Sequence, residues 1–323
     1  MKRNLGWMAV ILGLTWTMNI QAEEGGSGHY MPGSAASFID AFPGKPGGLA
    51  VLNYTTFYEA DASANRQFSL GGILTLGLDA KVLSETVALF YQTEWEVMGG
   101  GIAFGVAIPY VWVDVAIQGS LSGGVLPPLP PGRADDAVGG LGDITLVPLM
   151  VGWTNIAPDL TLDARLNVFA PTGKYDAGKL ANTGLNYWTF EPAIMASWLS
   201  SKFGTETTLY TGIDFNTRNE DTDYQSGTSL HFDGNLAQHL PLLGGLAGIG
   251  VTGFYYEQIE GDSGAGAVLG SFKAKTTGIG PVISYVREIR STQLLAELKW
   301  MREGNVENRL EGDYVWLKLG VLF

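Results

Sequence analysis

Hydrophobic and polar residues alternate with a period of two through much of this chain, most clearly from Leu160 to Pro171. Leu160, Leu162, Ala164, Leu166, Val168 and Ala170 share one face, and Thr161, Asp163, Arg165, Asn167, Phe169 and Pro171 share the other. Successive side chains of a strand point to opposite sides, so this stretch is a strand apolar on one face and mostly polar on the other. Leu209, Ile213 and Phe215 oppose Glu206, Tyr210, Asp214 and Asn216 in the same way, as Leu230, Phe232, Leu236 and Leu240 oppose His231, Asp233 and Asn235. From Leu49 onward about twelve such segments follow, near 49–58, 81–97, 101–117, 141–153, 159–172, 186–199, 203–217, 227–240, 246–258, 272–287, 292–302 and 312–323.

A soluble sandwich also alternates, and the connections separate the two possibilities. Long linkers (59–80, 118–140, 173–185, 218–226, 259–271 and 303–311) alternate strictly with short ones (98–100, 154–158, 200–202, 241–245 and 288–291). Long outer loops and short inner turns are the pattern of a membrane barrel. Aromatic residues fall in two groups, Trp95, Trp153 and Trp198 near the inner strand ends and Tyr58, Trp188, Phe215 and Trp300 near the outer ends, as the two bilayer interfaces favour. The predicted fold is all-β, a transmembrane antiparallel up-and-down β-barrel of about 12 strands. Closure is required because every backbone polar group in hydrocarbon needs an internal partner, and a barrel of this size encloses a narrow or plugged pore.

The two ends of the chain add to this. The last strand places Val315, Leu317, Leu319, Val321 and Phe323 opposite Tyr314, Trp316, Lys318 and Gly320. Its C-terminal aromatic resembles the signal that barrel assembly machinery recognises, making Phe323 the candidate assembly signal. At the start, Lys2 and Arg3 precede an apolar run that ends near Met18, followed by Ile20-Gln21-Ala22. That run is too short for a spanning helix, which needs about 20 residues, and reads as a signal peptide cleaved after Ala22. Residues 23–48 show no strand pattern; they are expected to form a plug inserted from the periplasmic side, with His29, Tyr30, Phe38 and Phe42 as plug or gate residues. The predicted organisation is thus 1–22 signal peptide, 23–48 N-terminal plug or disordered leader and 49–323 barrel.

Composition narrows the chemistry. There is no cysteine, hence no disulfide or thiolate chemistry, and three histidines argue against a multi-histidine metal site. A net charge of −13 argues against nucleic acid. The expected lumen-lining residues are Glu94, Tyr110, Trp112, Asp163, Arg165, Asn167, Glu191, Asp214, His231, Asp233, Asn235, Lys275, Glu297 and Lys299, with Phe90, Phe104 and Phe169 also on the lumen-side register. The charged members fit either an interior ion-pair network or a solute site, since buried charges must be paired or hydrated; the aromatic ones fit an apolar path. The acidic run Glu220, Asp221 and Asp223 reads as a solvated outer loop. Thr172-Gly-Lys-Tyr175 lacks the spacing of a phosphate loop. No catalytic residue, metal or cofactor is expected.

The segments Glu24-Gly-Gly-Ser-Gly-His-Tyr-Met-Pro-Gly33, Gly139-Gly-Leu-Gly-Asp143, Ala170-Pro-Thr-Gly-Lys-Tyr-Asp176 and Asn182-Thr-Gly-Leu-Asn-Tyr-Trp-Thr-Phe-Glu-Pro192 resemble the outer-membrane protein family associated with the meta pathway of phenol degradation. The resemblance spans essentially the whole mature chain. It implies a Gram-negative outer-membrane channel, similar in outline to fatty-acid and aromatic-hydrocarbon uptake channels, that passively admits small hydrophobic or aromatic compounds. Its surroundings would be outer-membrane lipid and lipopolysaccharide. Two other classes remain open: a lipid-modifying barrel enzyme, which needs a Ser beside a His on the lipid face, with His239 the nearest candidate; and a structural or adhesive barrel, which longer outer loops would suggest.

Overall fold

The computed structural model of the chain describes residues 19–20, 23–43, 45–70, 73–120, 134–154 and 156–323. The expected signal peptide lies outside them except for Asn19–Ile20, which pair in parallel with Arg66 and Gln67. The barrel strands are β1 Leu49–Leu70, β2 Ile73–Val97, β3 Gly100–Ser120, β4 in two segments, Ala134–Leu141 and Ile144–Trp153, β5 Leu160–Ala170 and β6 Thr189–Leu199. They continue as β7 Thr205–Asn216, β8 Ser229–Leu242, β9 Gly245–Gln258, β10 Lys275–Ile289, β11 Thr292–Glu307 and β12 Glu311–Leu322. Each pairs antiparallel with its neighbour in sequence, and β12 returns to β1 from Glu311 opposite Asp61 to Leu322 opposite Ala50. The closed twelve-stranded barrel predicted from the alternation is the fold, and closure leaves no barrel edge unpaired.

At one end, the turn end, the connections are tight. Val97 pairs with Gly100 and Leu242 with Gly245, leaving Met98-Gly99 and Leu243-Gly244 as two-residue loops. Both residues of each loop have positive φ, 51° and 76° in the first and 49° and 76° in the second, the mirror-image turn that matches strand twist. At the other, loop end, two connections are shorter than expected. Much of 59–80 is strand, because β1 and β2 continue as a paired hairpin to Leu70 and Ile73, and Ala134–Leu141 pairs with β3. Ala60, Ala62, Leu78 and Ala80 of these extensions face inward and are buried, but small residues on the one face leave only a faint apolar period to mark them.

β4 is interrupted at Gly142 and Asp143. Opposite lies Pro109, which has no N–H to donate, and its carbonyl instead accepts from Gly142 N at 2.9 Å. The break frees the Asp143 carboxylate to accept from Gly173 N and Leu185 N at 2.8 and 2.7 Å, drawing the 173–185 loop over the lumen.

The outer surface is an apolar band, with Leu83, Val87, Ile194, Leu209, Ile249 and Ile279 exposed on the outward register. Trp188, Phe215 and Trp300 are exposed towards the loop end and Trp95 and Trp198 towards the turn end. Tyr58 departs from the expected belt: it faces the lumen, stacked on Tyr314 and donating to Glu303 at 3.0 Å. Glu85 is an outward exception to the apolar band, held by hydrogen bonds from Thr55 Oγ1 at 2.9 Å and Asn53 Nδ2 at 3.2 Å, as a carboxylate in such a place requires.

Candidate functional site in the lumen

The N-terminal segment runs inside the barrel from loop end to turn end. Glu23 is buried among the loops: its N donates to Asp262 at 2.8 Å, and its carboxylate accepts from Arg309 at 2.7 Å and from Tyr256. Beside it Glu24 accepts from Asn219 at 2.9 Å and Tyr175 at 3.1 Å. Burial pushes both carboxyls above their ordinary value; Arg309 opposes this at Glu23 and the Asn219 hydrogen bond opposes it at Glu24. Further in, His29 Nδ1 and Nε2 lie 2.7 Å from Thr189 Oγ1 and 3.0 Å from Asp143 Oδ2, with its ring stacked on Phe169. The Tyr30 ring lies on His231 with centroids 3.6 Å apart.

The segment then turns at Gly33, φ +77°, where an added Cβ would sit 2.1 Å from Met301 Cε; only glycine meets both demands. Gly33 N and Ala35 N donate to the two oxygens of Asp233 at 3.3 and 3.2 Å, and Lys299 donates to Ala35 O at 2.9 Å. Phe38 N donates to Glu206 at 3.0 Å while its ring meets His239 edge-on. Asp40 receives Lys318 Nζ at 2.5 Å on its carboxylate and Arg165 Nη2 at 2.9 Å on its carbonyl. Phe42 ends the path at the turn end, pressed against Gly152, where a Cβ would lie 2.0 Å from the ring.

The lumen-facing charges of β5 to β12 are paired or hydrogen-bonded, as burial demands. Arg165 grips Asp163 at 2.7 Å; Lys299 and Lys318 each lie 3.2 Å from Glu297. Glu191 accepts from Tyr210 and, at 3.1 Å, from Asn167, and stands 3.3 Å from His231. Nine of the predicted lumen residues meet here: Asp163, Arg165, Asn167, Glu191, Asp214, His231, Asp233, Glu297 and Lys299. Asn235 is buried with them, donating to Glu206 at 2.8 Å. His29, Tyr30, Phe38 and Phe42 all contact this interior or its turn-end mouth.

Four predicted lumen residues lie elsewhere. Tyr110 and Trp112 face outward, 41% and 44% exposed, and Phe104 shares their register. Their neighbours Pro109, Val111 and Val113 are the inward ones; with both faces of β3 apolar, alternation carries no sign of which is which. Lys275 also points out, its ammonium over the Tyr255 ring, while Thr276 faces the lumen and donates to Glu303. Glycines at 278 and 280 hide the face pattern of β10, and its register shifts between Lys275 and Thr277. Glu94 is exposed at the turn-end rim, where the β2–β3 register shifts between Gln92 and Glu96. Phe90 and Phe169 do line the interior.

Several interior residues carry no periodic signal at all. Arg309 and Asp143 come from irregular connections and Asp40 from the aperiodic segment, while Glu206, His239 and Lys318 sit on the inward register of strands that the alternation did locate. His239 is buried with Nε2 2.7 Å from Glu206, and its Nδ1 has no hydrogen-bond partner. It faces the lumen, away from the lipid side that an enzyme acting on membrane lipid needs.

Against β1 to β4 the interior is open. A cavity of about 320 Å3 towards the loop end is lined by Met31, Leu78, Val82, Val111, Val113 and Leu310, and a second of about 240 Å3 towards the turn end by Ile39, Leu52, Ala88, Phe90, Ala107 and Val147. His29, Tyr30, Met31, Thr86, Thr145 and Phe169 border both, forming a waist between them. Phe323 lies outside at the turn end, its N donating to Leu49 O at 2.9 Å and its side chain half exposed.

A family model described as the MetA-pathway of phenol degradation matches residues 63–319. No curated protein matches the chain. Among solved structures, the COG4313 outer membrane channel from Pseudomonas putida F1 is similar at TM-score 0.59 and 16% identity, over 91% of this chain and 100% of that one. The beta domain of the Bordetella autotransporter BrkA is similar at TM-score 0.50 and 12% identity, over 86% of this chain and 99% of that one. At these identities the likeness is one of fold.

Proposed function

From the premise that the chain belongs to the family described as the MetA-pathway of phenol degradation, we propose that it is an outer-membrane channel for passive uptake of small hydrophobic or aromatic compounds. The observation that carries this reading is the pair of apolar cavities meeting at the His29–Met31 waist. Apolar solute leaves water favourably for such walls at roughly 25 cal/mol per Å2 buried. A dry apolar cavity of about 150 Å3 already accepts a benzene-sized guest. Ions meet the opposite conditions, a lumen whose charges are already paired and a segment threaded through it.

In this reading residues 23–48 are the plug, His29 and Tyr30 the gate at the waist, and the loop end is extracellular. Phe323 offers the terminal outward aromatic that assembly machinery would recognise. Catalysis has no support from His239, whose carboxylate partner and lumenal position leave no nucleophile beside it on the lipid face. Planar-bilayer and vesicle-uptake measurements test the reading together. The full chain should admit benzene-sized aromatics into vesicles with little ion current, and deletion of 23–48 should raise ion conductance at least about tenfold from equally well folded barrels. Equal conductance, or no aromatic uptake by the full chain, overturns it.

A further inference from the structure

We propose that Glu191, Asp214 and His231 form a binding site for one divalent transition-metal ion of the Zn2+ or Mn2+ type. They lie on the adjacent strands β6, β7 and β8, all facing inward and all buried. The register that pairs Phe190 with Phe215 sets Glu191 across from Asp214, and His231 pairs with Gly212 one inward position along. One ligand atom from each lies within 4.8 Å of the others; His231 Nε2 is 3.3 Å from Glu191 Oε1 and 3.9 Å from Asp214 Oδ1. Ligands about 2.1 Å from a tetrahedral ion stand about 3.4 Å apart, so small side-chain adjustments close the site.

Three independent features point to a ligand there. His231 Nε2 and Asp214 Oδ1 are fully enclosed and have no hydrogen-bond partner, an arrangement that buried polar atoms rarely keep. Gly212 clears the space: a Cβ there would lie 2.6 Å from His231 Nε2 and 2.7 Å from Glu191 Oε1. The oxygens turned away are already held, Glu191 Oε2 by Asn167 at 3.1 Å and Asp214 Oδ2 by Ser229 at 2.9 Å, as outer partners hold ligands around metals, and Glu191 Oε1, which faces His231, also accepts from Tyr210.

Charge agrees. Asp233 adds a third carboxylate nearby, while Arg165 and Lys299 are engaged by Asp163 and Glu297. One imidazole and two carboxylates suit a borderline divalent ion more than Mg2+ or Ca2+. The ion would fix the His231 ring on which Tyr30 rests, so occupancy would stiffen the seat of the N-terminal segment.

The test uses full-length, tag-free protein in detergent, stripped with chelator and then dialysed against Zn2+, with Mg2+ in parallel. Elemental analysis should find about one zinc per chain and no retained magnesium, and X-ray absorption should show an oxygen and nitrogen shell with one imidazole. His231→Gln and Asp214→Asn should each weaken zinc binding at least about tenfold, with the barrel's heat-dependent gel shift unchanged. Zinc absent from the wild-type chain, a shell with two or more imidazoles, or wild-type affinity in both variants overturns the site. Should both variants fail to fold, wild-type stoichiometry and spectrum decide alone.

Discussion

The two walls of the lumen differ in kind. On β2 and β3 the inward positions include Leu78, Ala80, Val82, Val111, Val113 and Val115; on β5 to β12 they include Asp163, Arg165, Glu191, Asp233, Glu297, Lys299 and Lys318. Among the described residues of β1 to β4, Asp143 at the strand break is the inward carboxylate that reaches the N-terminal segment, through His29. The polar wall, by contrast, meets that segment at Gly33, Ala35, Phe38 and Asp40 with directed hydrogen bonds. Directional partners draw the segment towards that side of the barrel, and the apolar wall, which among the described residues hydrogen-bonds to it only at Asp143, at Tyr54 and, near the turn end, at Gln92, is left facing open space. A single device therefore both seats the segment and creates the cavities.

The sharpest way to break this contrast is to remove a cation from the polar wall. Lys318→Met leaves Asp40 and Glu297 without a shared partner, and stranding a buried charge costs about 3–5 kcal/mol. Thermal unfolding in detergent should show a loss of this size, together with raised ion conductance as the segment loosens. A change under about 1 kcal/mol, the worth of an exposed pair, would mean the wall does not clamp the segment.

The apolar wall is probed by filling it. Val113→Phe projects a ring into the loop-end cavity and should lower aromatic uptake into vesicles about tenfold, a barrier change of about 1.4 kcal/mol, while ion conductance and gel shift stay as they were. Unchanged uptake would sever the cavity from the solute path.

The smallest effect lies at the loop end. Burial raises the Glu24 carboxyl above its ordinary value of 4.5, so the folded state takes up a proton more readily than the unfolded chain. The corresponding stabilisation is complete below that ordinary value and is lost as pH rises through the raised one. Glu24→Gln should therefore melt higher than wild type at pH 7.5, by on the order of 1 °C, and the gap should shrink at pH 4. A gap that widens in acid would contradict the assignment.

Strand number, closure and the inward face of β5 to β8 were legible in the sequence because alternation there sets Asp163 and Arg165 against Leu162 and Ala164. Period two fixes a face only where the faces differ chemically. On β3 they do not: Pro109, Val111 and Val113 are as apolar as Ile108, Tyr110 and Trp112, and only the closed barrel decides that the larger aromatics meet the lipid. Glycines and a register shift hid the outward turn of Lys275 on β10 in a similar way. Arg309, Asp143 and Asp40 lay beyond any local rule, because irregular backbone has no period and their partners are 286, 114 and 278 positions away. Local pattern thus determined the wall of the barrel and most of the polar lining that its strands carry. The position of the segment, the waist and the cavities beside it depended on contacts between residues distant in sequence, which exist only once the sheet has closed and brought those residues into one enclosed space.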